Sequence, residues 1–221
     1  MQNVLLILVN ILVTFSIVLL IEKIFKKEGL YVWGAIALIM ANILECQTIC
    51  LFNGFTSTCG NVLFASVFLA TDIMSEKYGV EYSKKTIKLA VASMIAFTVI
   101  MQIGLLFVPD KTDMAHESMQ TLFSLNLRIS ISSIVMFYLS NNLDIFLFEK
   151  IKKKLPKQLW IRNNVATIVS NVIENYFFIF LAFVGIYDIP TMLNIATTIS
   201  VVEIVIAIFD TPFLYLSKKI K

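Results

Sequence analysis

Asp72 and Glu76 lie in Phe68-Leu69-Ala70-Thr71-Asp72-Ile73-Met74-Ser75-Glu76-Lys77-Tyr78-Gly79, at the end of an apolar run. Residues four apart share a helix face, so the two carboxylates point the same way. Gly79 then ends the helix, as a C-terminal glycine commonly does. A carboxylate in a membrane-length helix is costly and usually has a partner or a task. The plainer alternative is a helix end whose acids sit in interfacial water. More polar groups follow the same logic. Asn42 and Glu45 are three apart; Asn171, Glu174 and Asn175 share a face; Glu203 and Asp210 are seven apart; Arg128 and Asp144 stand in a further apolar run. An aspartate, lysine or arginine at a helix centre costs about 2.5–3.5 kcal/mol on insertion scales. Such groups are expected to converge on an internal, partly hydrated cavity rather than face lipid. Two structural alternatives stand beside that reading. Arg128 could neutralise one glutamate as helix glue, and Glu45 could sit in interfacial water.

The chemistry of such a cavity follows from its groups. A carboxylate accepts two parallel N–H bonds, and an asparagine supplies both a donor and an acceptor. Carboxylates and amides with one guanidinium suit a neutral or cationic ligand rich in N–H donors. Tyr176 and Phe177 stand beside the polar face and could offer a ring to a planar ligand. Among 18 phenylalanines, ordinary packing is the competing explanation.

The elements that must position these groups are membrane helices. Of 221 residues 58% are hydrophobic and 15% charged, against about 25% charged in a soluble domain. The expectation is an all-α polytopic membrane protein with about seven spans, near residues 4–21, 30–50, 61–77, 86–108, 122–148, 164–186 and 192–216. The first run carries no basic side chain before it and no small-residue cleavage site after it, so a retained helix is expected rather than a signal peptide. The uncharged connection at 51–60 suits a tight turn or a loop tucked into the protein. Sixteen of the eighteen Lys and Arg fall after spans one, three and five or in the tail. The positive-inside rule then predicts an outer N-terminus and an inner C-terminus. Topology also accounts for the basic stretch from Lys150 to Arg162 without nucleic acid.

Several chemistries are excluded or disfavoured. No GxxxxGK[ST] is present, and the single histidine, His116, leaves no HExxH and no Ser–His pair in the membrane. No enzyme, cofactor or metal centre is expected. Cys46, Cys50 and Cys59 read as small apolar packing residues rather than ligands.

With these residues in place the chain resembles the bacterial queuosine precursor transporters, also called the vitamin uptake transporter family. The resemblance rests on the run into Asp72, then Glu76-Lys77-Tyr78-Gly79. It continues through Asn42 upstream, Arg128 and Asn142-Leu143-Asp144-Ile145-Phe146-Leu147-Phe148, Ser170-Asn171-Val172-Ile173-Glu174-Asn175, and Pro212 to Tyr215. It spans about residues 30–216. It implies a six-helix core at 30–221, similar to the substrate-binding components of energy-coupling-factor transporters, with residues 1–29 as an additional N-terminal helix and basic loop. It also implies import of 7-deazaguanine bases, such as queuine or its biosynthetic precursors, across the bacterial inner membrane. A binding subunit for another vitamin or heterocycle, served by a separate ATP-driven module, is the alternative, with Ala92 and Ala96 as a small-residue docking face. A homo-oligomer is a further possible partner. The chain departs from the family pattern in three places. Glu174 replaces an aspartate, Glu203 stands where a lysine is common, and Gln47 lies near another such lysine. The expected substrate-binding residues are Asn42, Glu45, Asp72, Glu76, Arg128, Asn171, Glu174, Asn175 and Glu203. Glu174 or Glu203 would take the donor edge of the base, Asn171 and Asn42 would orient it, and Asp72 with Glu76 would hold the inner end or a gate.

Overall fold

The computed structural model describes residues 2–52, 55–123 and 127–220; for Thr48, Leu51, Phe52, Phe55, Thr56 and residues 127–130 the backbone alone is described. The order is α1 (Gln2–Glu45), β1 (Thr48–Phe52), β2 (Phe55–Thr58), α2 (Asn61–Lys77), α3 (Val80–Gly104), α4 (His116–Phe123), α5 (Leu127–Lys154), α6 (Leu159–Phe183) and α7 (Ile189–Ser217). Helices dominate because backbone polar groups in lipid must bond within their own segment. Among the described residues five helical stretches are long and apolar enough to cross a membrane: Gln2–Glu45, Val80–Gly104, Ile131–Lys154, Leu159–Phe183 and Ile189–Ser217. This is a multi-pass membrane protein.

The first of these folds back on itself. Lys26 takes a non-helical conformation, φ 54° and ψ −138°, and divides α1 into two arms. The arms lie side by side: Asn3 Nδ2 donates to the Cys50 carbonyl at 2.7 Å, just beyond the far end of the second arm. Gly29 is required at the bend, because a Cβ there would stand 2.5 Å from Ile21 Cγ2 and 2.9 Å from the Ile21 carbonyl. The two arms correspond to the first two expected apolar runs, the second ending at Glu45 rather than near Cys50. Ile11, Phe15 and Val18 of the first arm are buried, and Phe15 meets Phe213 of α7 edge-on at 5.3 Å. Leu5, Leu6, Leu12 and Leu20 of the same arm are each more than half exposed, as befits side chains that face lipid.

Helix α2 occupies the centre and touches α1, α3, α5 and α7. Its 17 residues rise about 26 Å at roughly 1.5 Å each, short of a bilayer core of about 30 Å. Nearly every side chain from Asn61 to Ser75 is buried. A helix enclosed on all sides shows no polar face, so Asp72 is carried into the interior by position rather than by amphipathicity. Trp33 Nε1 donates to Ser66 Oγ at 3.1 Å, tying α2 to α1. Gly79 (φ 114°) separates α2 from α3 in a left-handed conformation, the helix stop expected from its position. The Met74 carbonyl accepts from the Tyr78 and Gly79 amides at 2.9 and 2.8 Å.

Two expectations change. The connection after α1 is not only a loop. Strands β1 and β2 pair antiparallel, with Thr48 opposite Thr58 and Ile49 opposite Ser57, so a small hairpin departs from an all-α fold. The β-branched and aromatic residues there favour strand, and Asn53-Gly54 between them is a hairpin signal in the sequence. The fifth span is shifted: a separate short helix, α4, ends at Phe123, and α5 continues to Lys154, six residues past the expected end.

Candidate functional site

The helices enclose an acid-rich cleft. It is lined by Glu45 at the end of α1, by Asn61, Phe64, Ala65 and Phe68 of α2, and by Ser133 of α5. Asn171, Glu174, Asn175 and Phe178 of α6 and Ile199 and Glu203 of α7 complete it. It encloses about 610 Å³ of space free of protein atoms, part of it open to the surroundings.

Each carboxylate is held by a neutral donor. Thr58 Oγ1 lies 2.8 Å from Glu45 Oε2 and 2.9 Å from Asn61 Oδ1. The Ser140 hydroxyl donates to Glu174 Oε2. Asn175 Nδ2 donates to Glu203 Oε2 at 2.6 Å and lies 3.4 Å from Ser200 Oγ. Glu203 is close enough to Glu174 and Glu45 for their charges to interact. Asn171 is 4% exposed, and its Oδ1 has no hydrogen-bond partner. Gly60 lets α1 and α2 meet at Glu45, since a Cβ at residue 60 would stand 2.5 Å from Glu45 Oε2 and 2.6 Å from the Ala41 carbonyl. Phe64, Phe68 and Phe178 supply apolar ring surface beside these acceptors. Phe178 takes the part expected of Phe177, which is 59% exposed. The Tyr176 hydroxyl instead meets Thr197 Oγ1 at 2.8 Å.

Five of the nine residues singled out in the sequence therefore come together: Glu45, Asn171, Glu174, Asn175 and Glu203. Asn42 lines a smaller neighbouring pocket with Met94, Phe97 and Gln102, while its Oδ1 stands 3.5 Å from the Ser133 hydroxyl of the cleft. The Arg128 side chain lies outside the described residues. Asp72 and Glu76 lie toward the other end of the bundle. Asp72 is fully buried, near Asp144 of α5, Asp210 of α7 and Arg162 of α6. Asp144 Oδ1 accepts from Thr167 Oγ1 at 3.0 Å, and Asp210 accepts from Asn163 Nδ2. Glu76 gathers three cations: Arg162 at 2.5 Å, Lys218 at 2.8 Å and Lys152 at 3.3 Å. Lys77 pairs with the buried Glu22 and donates to the Ser217 and Ile220 carbonyls at 3.0 Å each.

Sequence reasoning missed the part played by Arg162 and Glu22. Both stand in charged stretches, yet they are 1% and 0% exposed. It also missed the hydroxyl donors Thr58 and Ser140, for which no local pattern exists.

The arrangement is that of a membrane protein which takes up a small polar solute into a helical bundle. The family described as "Putative vitamin uptake transporter" matches residues 58–217, and this chain belongs to that family. It is a transporter rather than an enzyme. A protein of Bacillus subtilis (strain 168) named "Probable queuosine precursor transporter" is 34% identical over 210 residues, covering 94% of this chain and 91% of that protein. No solved structure matches the chain.

Proposed function

We propose that this chain imports a queuosine precursor, a 7-deazaguanine base such as queuine or one of its biosynthetic precursors, for salvage into tRNA. The cleft carries this reading. A guanine-like edge offers adjacent N–H donors and one carbonyl acceptor. Glu174 or Glu203 accepts from the donors, Asn171 and Asn175 supply amides, and Phe64 and Phe178 cover the ring faces. The similarity to a protein named for queuosine precursor transport supports the same substrate class. Asn42 flanks this site, its Oδ1 3.5 Å from the Ser133 hydroxyl, whereas Asp72 and Glu76 stand toward the other end of the bundle. The direct test is uptake in cells that neither make queuosine nor import its precursors. With this chain expressed and each base supplied at low concentration, queuosine is read in tRNA. Restoration by one base names the substrate; no restoration by any base, with the protein in the membrane, removes the reading.

The same reading places the chain in the bacterial inner membrane with seven spans. These are the two arms of α1 together with α2, α3, α5, α6 and α7, the first arm being an addition to a six-helix core. The N-terminus is outside, because Lys77, Lys152, Arg162 and Lys218 meet at one end of the bundle and such an end faces the cytoplasm. A second reading, a capture subunit served by a separate ATP-driven module, draws on Ala92 and Ala96, both exposed on α3. Uptake that requires co-expressed partner subunits would favour it.

A further inference from the structure

We propose that the cleft selects a base whose 7-substituent carries a protonated amine over the same ring with a neutral substituent. This rests on the transporter reading above and names the substrate class more narrowly. Glu45, Glu174 and Glu203 reach one cleft from three different helices. Their donors are a threonine hydroxyl, a serine hydroxyl and a carboxamide, all neutral. Among the described residues no lysine, arginine or histidine lines the cleft. The described ion pairs, of Glu22, Glu76 and Glu149, involve none of these three carboxylates. Were the Arg128 guanidinium to neutralise one of the three, two would remain.

A guanine-like donor edge satisfies one carboxylate through two parallel N–H bonds. The others then still face the cleft as acceptors. Asn171 adds an independent sign of the same need, because its Oδ1 is buried and unpartnered where it lines the cleft. A buried acceptor left unmade is costly, and a buried carboxylate more so. An ammonium brings three donors and one positive charge, which supplies both missing elements at once. A nitrile brings an acceptor and no charge, and leaves the carboxylates as they were.

The test uses the purified full chain in lipid nanodiscs and two probes of nearly equal size. One is 7-aminomethyl-7-deazaguanine, protonated at neutral pH, and the other is 7-cyano-7-deazaguanine, which is neutral. Calorimetric or thermal-shift titration gives both dissociation constants. The amine-bearing probe is expected to bind roughly 10- to 100-fold more tightly, the ratio for one charge-assisted hydrogen bond. In at least one of E45Q, E174Q and E203Q that ratio should fall to within about threefold. Equal binding of the two probes, or tighter binding of the nitrile, by the unaltered protein overturns the inference while leaving the transporter reading intact. That comparison needs no variant to fold. Binding of neither probe overturns this inference, and failure of queuine to bind as well removes the queuosine-precursor reading with it.

Discussion

The two ends of the bundle treat their charges in opposite ways. At the basic end Glu76 has three cations within 3.3 Å, and Lys77 finds both Glu22 and two carbonyls. In the cleft three glutamates receive, among the described residues, only hydroxyl and amide donors. The first arrangement closes on itself: it ties the ends of α1, α2, α5, α6 and α7 and leaves little for a ligand. The second leaves acceptors open. Asp72, Asp144 and Asp210 lie between the two, fully buried, Asp144 and Asp210 bonded through neutral groups and Arg162 the nearby cation. Charges at the basic end are therefore read as stability, and those of the cleft as binding.

The sharpest way to break this contrast is Arg162→Ala. It removes the guanidinium that pairs with Glu76 and stands near Asp72. Loss of one partner of a buried ion pair costs about 3–5 kcal/mol. The variant should lose its cooperative thermal transition in detergent, while Arg162→Lys retains part of it. Near-normal unfolding of Arg162→Ala would sink the structural role of the basic end.

Glu203→Gln probes the other side. Uptake should fall at least about tenfold, the size of one charged hydrogen bond, with the melting temperature little changed. A variant that unfolds as readily as Arg162→Ala would mean the cleft glutamates are structural after all. Gly60→Ala mixes the two effects. Its methyl would meet Glu45 Oε2 and the Ala41 carbonyl, so Glu45 must move. Overpacking of this kind costs about 1–3 kcal/mol, and binding should weaken alongside; unaltered binding would show that Glu45 takes no part in the site. Ser140→Ala removes one donor to Glu174 and should cost about 1.5–3 kcal/mol, read as a lowered melting temperature without loss of expression.

The smallest effect belongs to the loop between α3 and α4. The Thr112 hydroxyl and amide hold the Asp110 carboxyl below its usual range, and the His116 and Ala115 amides do the same for Asp113. Folded values below the unfolded value of about 3.9 mean that this contribution is complete above that pH. It is lost as pH falls through the folded values. Amide-exchange protection of Ala115 and His116 should therefore be constant from about pH 5 to 8 and decline only in stronger acid. A change near neutrality would contradict it.

Much of this was legible in the chain. Apolar runs located both arms of α1 and also α2, α3, α6 and α7 with ends that differ by up to about six residues, because hydropathy is a local property. The polar face of α6 was equally plain, since Asn171, Glu174 and Asn175 are separated by three and four residues. The hairpin was read only as a turn or tucked loop, although Asn53-Gly54 signals it, while the break at Lys26 falls in the basic connection expected between the first two spans. Glu76 shows the limit most clearly. Its spacing from Asp72 placed both on one face, but its partner Lys218 is 142 residues away.

What the sequence determined by itself is the solvent of the protein and the list of polar groups its helices carry into it. A bilayer admits only long apolar segments, and each exception to apolarity is visible one residue at a time. Which exceptions pair with one another was decided only by tertiary structure. Five helices bring Glu76, Arg162, Lys152, Lys218, Glu22 and Lys77 together at one end, and three helices bring Glu45, Glu174 and Glu203 together without a described cation. Coulomb and hydrogen-bond energies depend on distances across the bundle, and those are set by how the helices pack rather than by the order of residues along any one of them.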